Sequence, residues 1–204
     1  MKRSHLAIAC LPMLMLLAAC SEEPQNAASK EAEKPAVAVS SQSAVGQMYI
    51  TARAWAGDAM LLNMANIDLK DVKSEGGKAG AWECTFVSPS RHRSRRYTYS
   101  VSESNGLSKG VANSPEDSWS GESKNVPFTL QYFKTDATAA YATAMKKSAD
   151  YVTKHPDSPM KFILTSSSHY GNPQWRVVWG DSIQTSNYSV VVDATTGEYV
   201  KTLH

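Results

Sequence analysis

Gln174-Trp175-Arg176-Val177-Val178-Trp179-Gly180, answered after a short polar interval by Asn187-Tyr188-Ser189-Val190-Val191-Val192-Asp193, decides the fold of this chain. Successive residues of a strand point to opposite faces, so Trp175, Val177 and Trp179 share one side and Tyr188, Val190 and Val192 share one side of the next strand. Two adjacent strands with so apolar a side need cover, and the sequence just upstream supplies it. Thr138, Tyr141, Met145, Ser148 and Val152 recur three and four apart, the spacing of one helical stripe. Thr135 or Asp136 is placed to cap that helix, and His155-Pro156 to end it. With a strand at Met160 to Ser166 and an extension at Glu198 to Leu203, this half reads as a helix followed by antiparallel strands.

A shift of 93 residues, the separation of Trp82 from Trp175, also lays Phe86 on Trp179, and Ile67 and Leu69 on Met160 and Phe162, without a gap. It places a first helix over the stripe Val45, Met48, Ala52, Trp55, Ala59 and Leu62. Trp82, Cys84 and Phe86 then pair with Tyr97, Tyr99 and Val101. Residues 112–125 read as a polar connector, and Val126 to Tyr132 as one more strand. The expected fold is α+β, two tandem repeats at 44–111 and 126–204, each one helix packed on an antiparallel sheet of three to four strands.

The chain opens with Lys2, Arg3 and His5, continues with an apolar run from Leu6 to Leu17, and closes that run on Leu17-Ala18-Ala19-Cys20. The run is shorter than the roughly 20 apolar residues that span a bilayer. It resembles the lipobox family of bacterial lipoprotein signals. That resemblance implies removal of residues 1–19 and lipid on Cys20, which becomes the first residue of the mature chain. Ser21 stands where an aspartate favours inner-membrane retention, so the expected address is the outer membrane, facing the periplasm. Residues 20–43, rich in Ala, Ser, Glu, Lys and Pro, read as a lipid-anchored disordered tether. Such a coil reaches roughly 25–30 Å.

Composition narrows the function. The chain holds 21 Lys and Arg against 19 Asp and Glu, and loss of Lys2 and Arg3 with the signal leaves the two balanced. No overall charge draws it to nucleic acid, which is not an expected partner. With Cys10 lost and Cys20 acylated, Cys84 has no partner for an intramolecular disulfide, and its alternation with Trp82 and Phe86 marks it as a small core residue.

The run Val192-Asp193-Ala194-Thr195-Thr196-Gly197-Glu198, behind the Trp-rich strand and the valine strand, resembles the ending of a PepSY domain. Asp193 can accept from amides just ahead, and Gly197 can take the positive φ that reverses the chain, so Asp193, Thr196, Gly197 and Glu198 are read as a structural turn. The likeness covers the second half, and the matching stretch of the first half, Ser102-Glu103-Ser104-Asn105-Gly106, lacks the motif. It is a degenerate PepSY-like repeat at most. The resemblance implies a noncatalytic role in binding, and restraining, peptidases or other envelope proteins.

The remaining chemistry is sparse. Arg91-His92-Arg93-Ser94-Arg95-Arg96 reads as a basic hairpin tip, suited to carboxylates or phosphates, with Arg91, His92, Arg93, Arg95 and Arg96 as candidate contacts. It supports an alternative role, envelope assembly through anionic lipid, lipopolysaccharide or peptidoglycan. Gly180-Asp181-Ser182 has no following helix and no Asp-x-x-His partner, so it reads as a turn. The histidines are scattered, and no catalytic residues, metal ligands or cofactor motifs are assigned. Trp119, in the polar connector, is either tucked into the fold or offered to a partner.

Overall fold

A computed structural model of the chain describes residues 35–204 other than 105. The signal, Cys20 and the tether up to residue 34 lie outside the described residues. The elements are α1 (Ser41–Trp55), β1 (Met60–Ile67), β2 (Ala81–Ser88), β3 (Arg93–Ser100), β4 (Gly110–Ser118), a 3₁₀ turn (Leu130–Tyr132), α2 (Ala137–Lys147), α3 (Ala149–Lys154), β5 (Met160–Thr165), β6 (Gln174–Trp179), β7 (Ser189–Asp193) and β8 (Tyr199–Leu203). Among the described residues no helix is long and apolar enough to cross a membrane.

The strands form one antiparallel sheet in the order β4-β3-β2-β1-β5-β6-β7-β8. The expected pair of separate sheets is therefore a single one, sewn together where β1 meets β5 through Asn63, Met64 and Ala65 opposite Thr165, Leu164 and Ile163. At one end of that seam the buried Asn66 amide replaces the ladder, its Oδ1 accepting from the Phe162 amide at 2.8 Å. At the other end a β-bulge at Leu61 to Asn63 splays β1, and Phe128 fills the gap by exchanging both backbone hydrogen bonds with Leu61.

One core runs along the whole sheet. Tyr97, Cys84, Met64, Leu164, Trp175 and Val192 stand side by side on one face, and the same buried cluster takes in Ala44, Met48 and Ala52 of α1 and Ala137, Ala140 and Ala144 of α2. Both helices therefore cover the same face.

Several expectations need correction. Helix α1 starts at Ser41, inside the stretch read as tether, because Ser40 caps it by accepting from the Ser43 amide and Val39 already pairs with Ala79. It ends at Trp55, so Ala59 and Leu62 fall outside it, Leu62 within β1. Residues 112–118 are not connector but part of β4, while Val126 to Tyr132 gives a single bridge and a 3₁₀ turn instead of a strand. The second helix breaks at Ser148, and its buried side is Ala137, Ala140 and Ala144, one position off the expected stripe. Phe86 faces Arg95, and Val101 lies beyond β3. The gapless shift fails as well. Phe162 stands in β5 opposite Val177, whereas Leu69 lies past the end of β1, and Met64 is the residue opposite Cys84.

The N-termini of α1 and α2 meet, and one carboxylate serves both. Asp136 Oδ1 accepts from the Thr138 amide of α2 at 2.9 Å, while Oδ2 accepts from the Gln42 amide of α1 at 2.8 Å and from the Ser41 hydroxyl at 3.0 Å. The Ser41 hydroxyl in turn accepts from the Ala137 amide at 2.9 Å. An N-cap is worth about 0.5–2 kcal/mol. Asp136→Ala, which strips a donor's partner from each helix, is expected to cost about 1–4 kcal/mol, and Ser40→Ala, which uncaps α1 alone, about 0.5–2 kcal/mol. Urea unfolding of the two variants checks the ranking.

Candidate binding surfaces

The arginine run does not form a free basic tip. Arg93 to Arg96 lie within β3, and the turn itself is Pro89 to His92, where His92 takes a φ of 51°. Strand alternation splits the arginines between the two faces. On the helix-covered side, Arg91 and Arg95 converge on Glu116 Oε1 of β4 at 2.9 and 3.2 Å, and the Trp55 indole donates to the same oxygen at 2.7 Å. Both guanidinium groups lie 5.3 Å from the Trp55 ring centre. The Trp55 hydrogen bond, followed by the two arginines, holds the Glu116 carboxyl below its ordinary value. Arg93 donates to Ser118 Oγ at 3.0 Å, and Arg96, on the opposite face, lies 3.6 Å from Glu83. Trp119, just past β4, meets the turn, its amide donating to the His92 carbonyl. The Trp119 indole nitrogen is buried without a hydrogen-bond partner.

The Asp193 turn is a joint between sheet and helix. Asp193 Oδ1 accepts from the Thr195 and Thr196 amides at 2.7 and 2.9 Å, and Oδ2 accepts from the Asn172 side chain at 2.9 Å. Burial pushes the Asp193 carboxyl up, but these donors outweigh it and hold the group below its ordinary value. Gly197 has a φ of 79°, where a side chain would be strained, and its carbonyl accepts from Thr143 of α2. The Glu198 amide donates to Thr196 Oγ1 at 3.2 Å. The carbonyl of buried Ala194 accepts from the Lys134 and Thr135 amides, so the turn also fixes the lead into α2.

Cys84 is fully buried, and burial pushes its thiol well above the ordinary value, which disfavours the thiolate. Gly180, Asp181 and Ser182 sit in the β6–β7 connection, where Ser186 Oγ donates to the Trp179 and Tyr188 carbonyls. Among the described residues no three His, Cys, Asp or Glu side chains gather as a metal would require.

The surface that motif reading missed is the second face of the sheet. Ala112, Thr98, Glu83, Ala65, Ile163, Arg176, Val191 and Lys201 form one row in direct register across all eight strands, and none belongs to the buried clusters. No helix packs on this row among the described residues. At one end of the face Leu69 and Val72, from the β1–β2 connection, pack on Ala81 with Ala38 and Ile67 beside them. The alternation that revealed the core carried this signal too, because the intervening residues of the strands had to face somewhere. No protein-family model, curated protein or solved structure matches the chain.

Two outcomes test this geometry. Glu116 sets one negative charge against Arg91 and Arg95, so Glu116→Gln adds one net positive charge and is expected to strengthen retention on phosphatidylglycerol vesicles at low salt by about fivefold, taking about 1 kcal/mol per net charge at such a surface. Co-sedimentation reads it. Asp58 provides a pH test. The Ser88 hydroxyl, then the Ser90 amide, hold its carboxyl at about 2, against 3.8 ordinarily. A lowered folded-state value stabilises above the unfolded value and is lost as pH falls toward the folded one. The stability gap between the native chain and Asp58→Asn should therefore be full at pH 5 and nearly closed near pH 2, by urea midpoints.

Proposed function

We propose that this chain is a noncatalytic binding protein of the bacterial envelope, held to the membrane by lipid on Cys20 and engaging a partner protein through the open face of its sheet. The observation that carries the reading is the one-sided helix cover of an eight-stranded sheet: among the described residues every helix lies on one face, and the other carries half-buried Ala65, Thr85, Thr98 and Ile163 between buried Val87, Val178 and Val191. A broad, rigid, main-chain-ordered surface of this kind loses little entropy on docking and suits a folded partner. The lipobox resemblance supplies the address, and the PepSY resemblance supplies the class of partner, a periplasmic or cell-surface peptidase or related envelope protein.

In this reading the chain is a duplicated helix-plus-four-strand unit. Trp82 faces Tyr99 as Trp175 faces Val192, Cys84 faces Met64 as Val177 faces Phe162, and each helix begins just after the residue whose carbonyl accepts from its own half's tryptophan. The offset between the halves varies from strand to strand, which explains why motif identities are few. The alternative, an anionic-surface contact through the arginine run, is the weaker one because Glu116 and Glu83 already answer three of its cations.

Two experiments test the proposal. Labelled palmitate should enter the native chain and not Cys20→Ser. Affinity capture from solubilised envelope should recover a specific protein with the native chain and lose it with Ala65→Arg, which plants a long cation in the middle of the open face. A partner retained by a stably folded Ala65→Arg chain overturns the open-face reading.

A further inference from the structure

We propose that the β5–β8 wing of the open face receives an acidic stretch of a partner polypeptide, with Arg176 as its central contact and Lys161 and Lys201 beside it. The inference rests on the reading of the open face as the contact surface and specifies the chemistry of the partner.

Register brings the three cations together. Arg176 stands opposite Val191, which stands opposite Lys201, and Lys161 lies two residues along β5 from Ile163, the other neighbour of Arg176. At a strand spacing of about 4.8 Å, Arg176 and Lys201 are about 10 Å apart, and Lys161 is a diagonal neighbour at about 7–8 Å. Among the described residues no carboxylate lies within ion-pair reach of any of them. Asp193, the nearest acid by register, is committed to Asn172 and to the Thr195 and Thr196 amides.

Elsewhere half-buried Arg95 and the exposed Arg91 and Arg96 each meet a carboxylate. Arg91 and Arg95 share Glu116, and Arg96 has Glu83. Among the described residues Arg176 has only Ser189 Oγ, which accepts from its Nε at 2.9 Å and leaves the terminal nitrogens without a partner there. Burial with no answering charge pushes the Arg176 guanidinium below its ordinary value, the direction a desolvated cation takes when unpaired. Three like charges on one half-dry surface repel one another, and a carboxylate supplied by another molecule relieves both that repulsion and the desolvation of Arg176.

A polypeptide fits this arrangement better than a lipid surface does. The cations are half-buried on a sheet, the Arg176 guanidinium keeps two terminal nitrogens for a two-pronged carboxylate contact, and Lys201 Nζ sits 5.4 Å from the ring centre of Tyr170. Tyr170 in turn lines a groove of about 500 Å³ with Val126 and Tyr132, both exposed, where an apolar residue beside the acids can lodge. Aromatic and arginine groups in one patch are the usual anchors of protein interfaces.

The test uses the full chain carrying Cys20→Ser, so that no lipid is attached, and a fluorescein-labelled octaglutamate peptide followed by anisotropy at low salt. Saturable binding is expected, weakened at least about tenfold by Arg176→Gln and several-fold by Lys201→Gln, and unchanged by Arg93→Gln on the opposite face. Thermal unfolding of each variant accompanies the titration. If Arg176→Gln fails to fold, Lys161→Gln and Lys201→Gln carry the comparison. Absence of saturable binding overturns the proposal, as does an equal loss with Arg93→Gln. Displacement of the peptide by phosphatidylglycerol vesicles, sensitive to Arg176→Gln, overturns it in favour of lipid. An envelope partner lost with Ala65→Arg but kept by Arg176→Gln removes this inference and leaves the open-face reading standing, whereas a partner kept by both variants removes the two together.

Discussion

Two helix N-termini pointing at each other are an electrostatic problem, and its solution organises the molecule. Each end presents unsatisfied amides and about half a positive charge. With α1 and α2 entering the same face of one sheet, those ends meet, and Asp136 lies between them with one oxygen for each helix while Ser41 relays a further amide. The Gln42 side chain adds a second tie, donating to the Lys134 carbonyl at 3.1 Å. The Asp136 charge thereby ties together two halves whose backbone pairing is limited to the short β1–β5 seam and the Leu61–Phe128 bridge.

Beneath that joint the two large indoles meet edge to face at 6.3 Å, Trp82 donating to the Val39 carbonyl and Trp175 to the Thr135 carbonyl. Each carbonyl belongs to the residue ahead of a helix cap. A buried indole N–H needs a partner, and here that need fixes where each helix begins. Truncating a buried aromatic of this kind costs about 3–5 kcal/mol, and in this position it would also release a helix start. The Asp193 turn acts on the same place from the other side, since Ala194 accepts from the two amides leading into Asp136. Gly77 completes the enclosure: a Cβ there would collide with the Ala137 carbonyl, so the β1–β2 connection presses on the first turn of α2. Capping, indole bonding and turn geometry thus converge on one small region of the core.

Much of the sheet was legible because period-two alternation survives wherever one face is dry. Trp82-Cys84-Phe86, Trp175-Val177-Trp179 and Tyr188-Val190-Val192 announce their strands and their buried side. Strand β4 was not legible, since Gly110 to Ser118 is an edge strand with Pro115 inside it and almost no apolar residue; its order comes from Glu116, which two arginines and Trp55 seek out. The second helix was phased one residue off for the opposite reason. Its buried side is three alanines, small enough to let α2 lie close to β6 and β7, and a search for large apolar residues passes over them. The double role of Asp136 lies beyond local reading altogether, as its partner amide at Gln42 is 94 positions away. The arginine run shows the limit from another direction: six consecutive residues looked like one tip, but a strand sends its neighbours to opposite faces, and carboxylates distant in sequence settle which cations remain unanswered.

That sorting of charge separates structure from function in this fold. A cation that serves stability meets its carboxylate within the chain, as Arg95 meets Glu116, because leaving it unpaired in a half-buried place costs more than pairing it. Across the face opposite the helices the two wings differ in this respect. Glu83 and Arg96 satisfy each other on one side of the β1–β5 seam, and on the other Arg176 occupies the register position corresponding to Glu83, one strand out from the seam, with no acid opposite. A sheet that needed only solubility there would be served by Thr or Ser, which this face uses freely elsewhere. Retaining a half-buried guanidinium instead is a cost that folding does not return, and that the external carboxylate proposed for this face would.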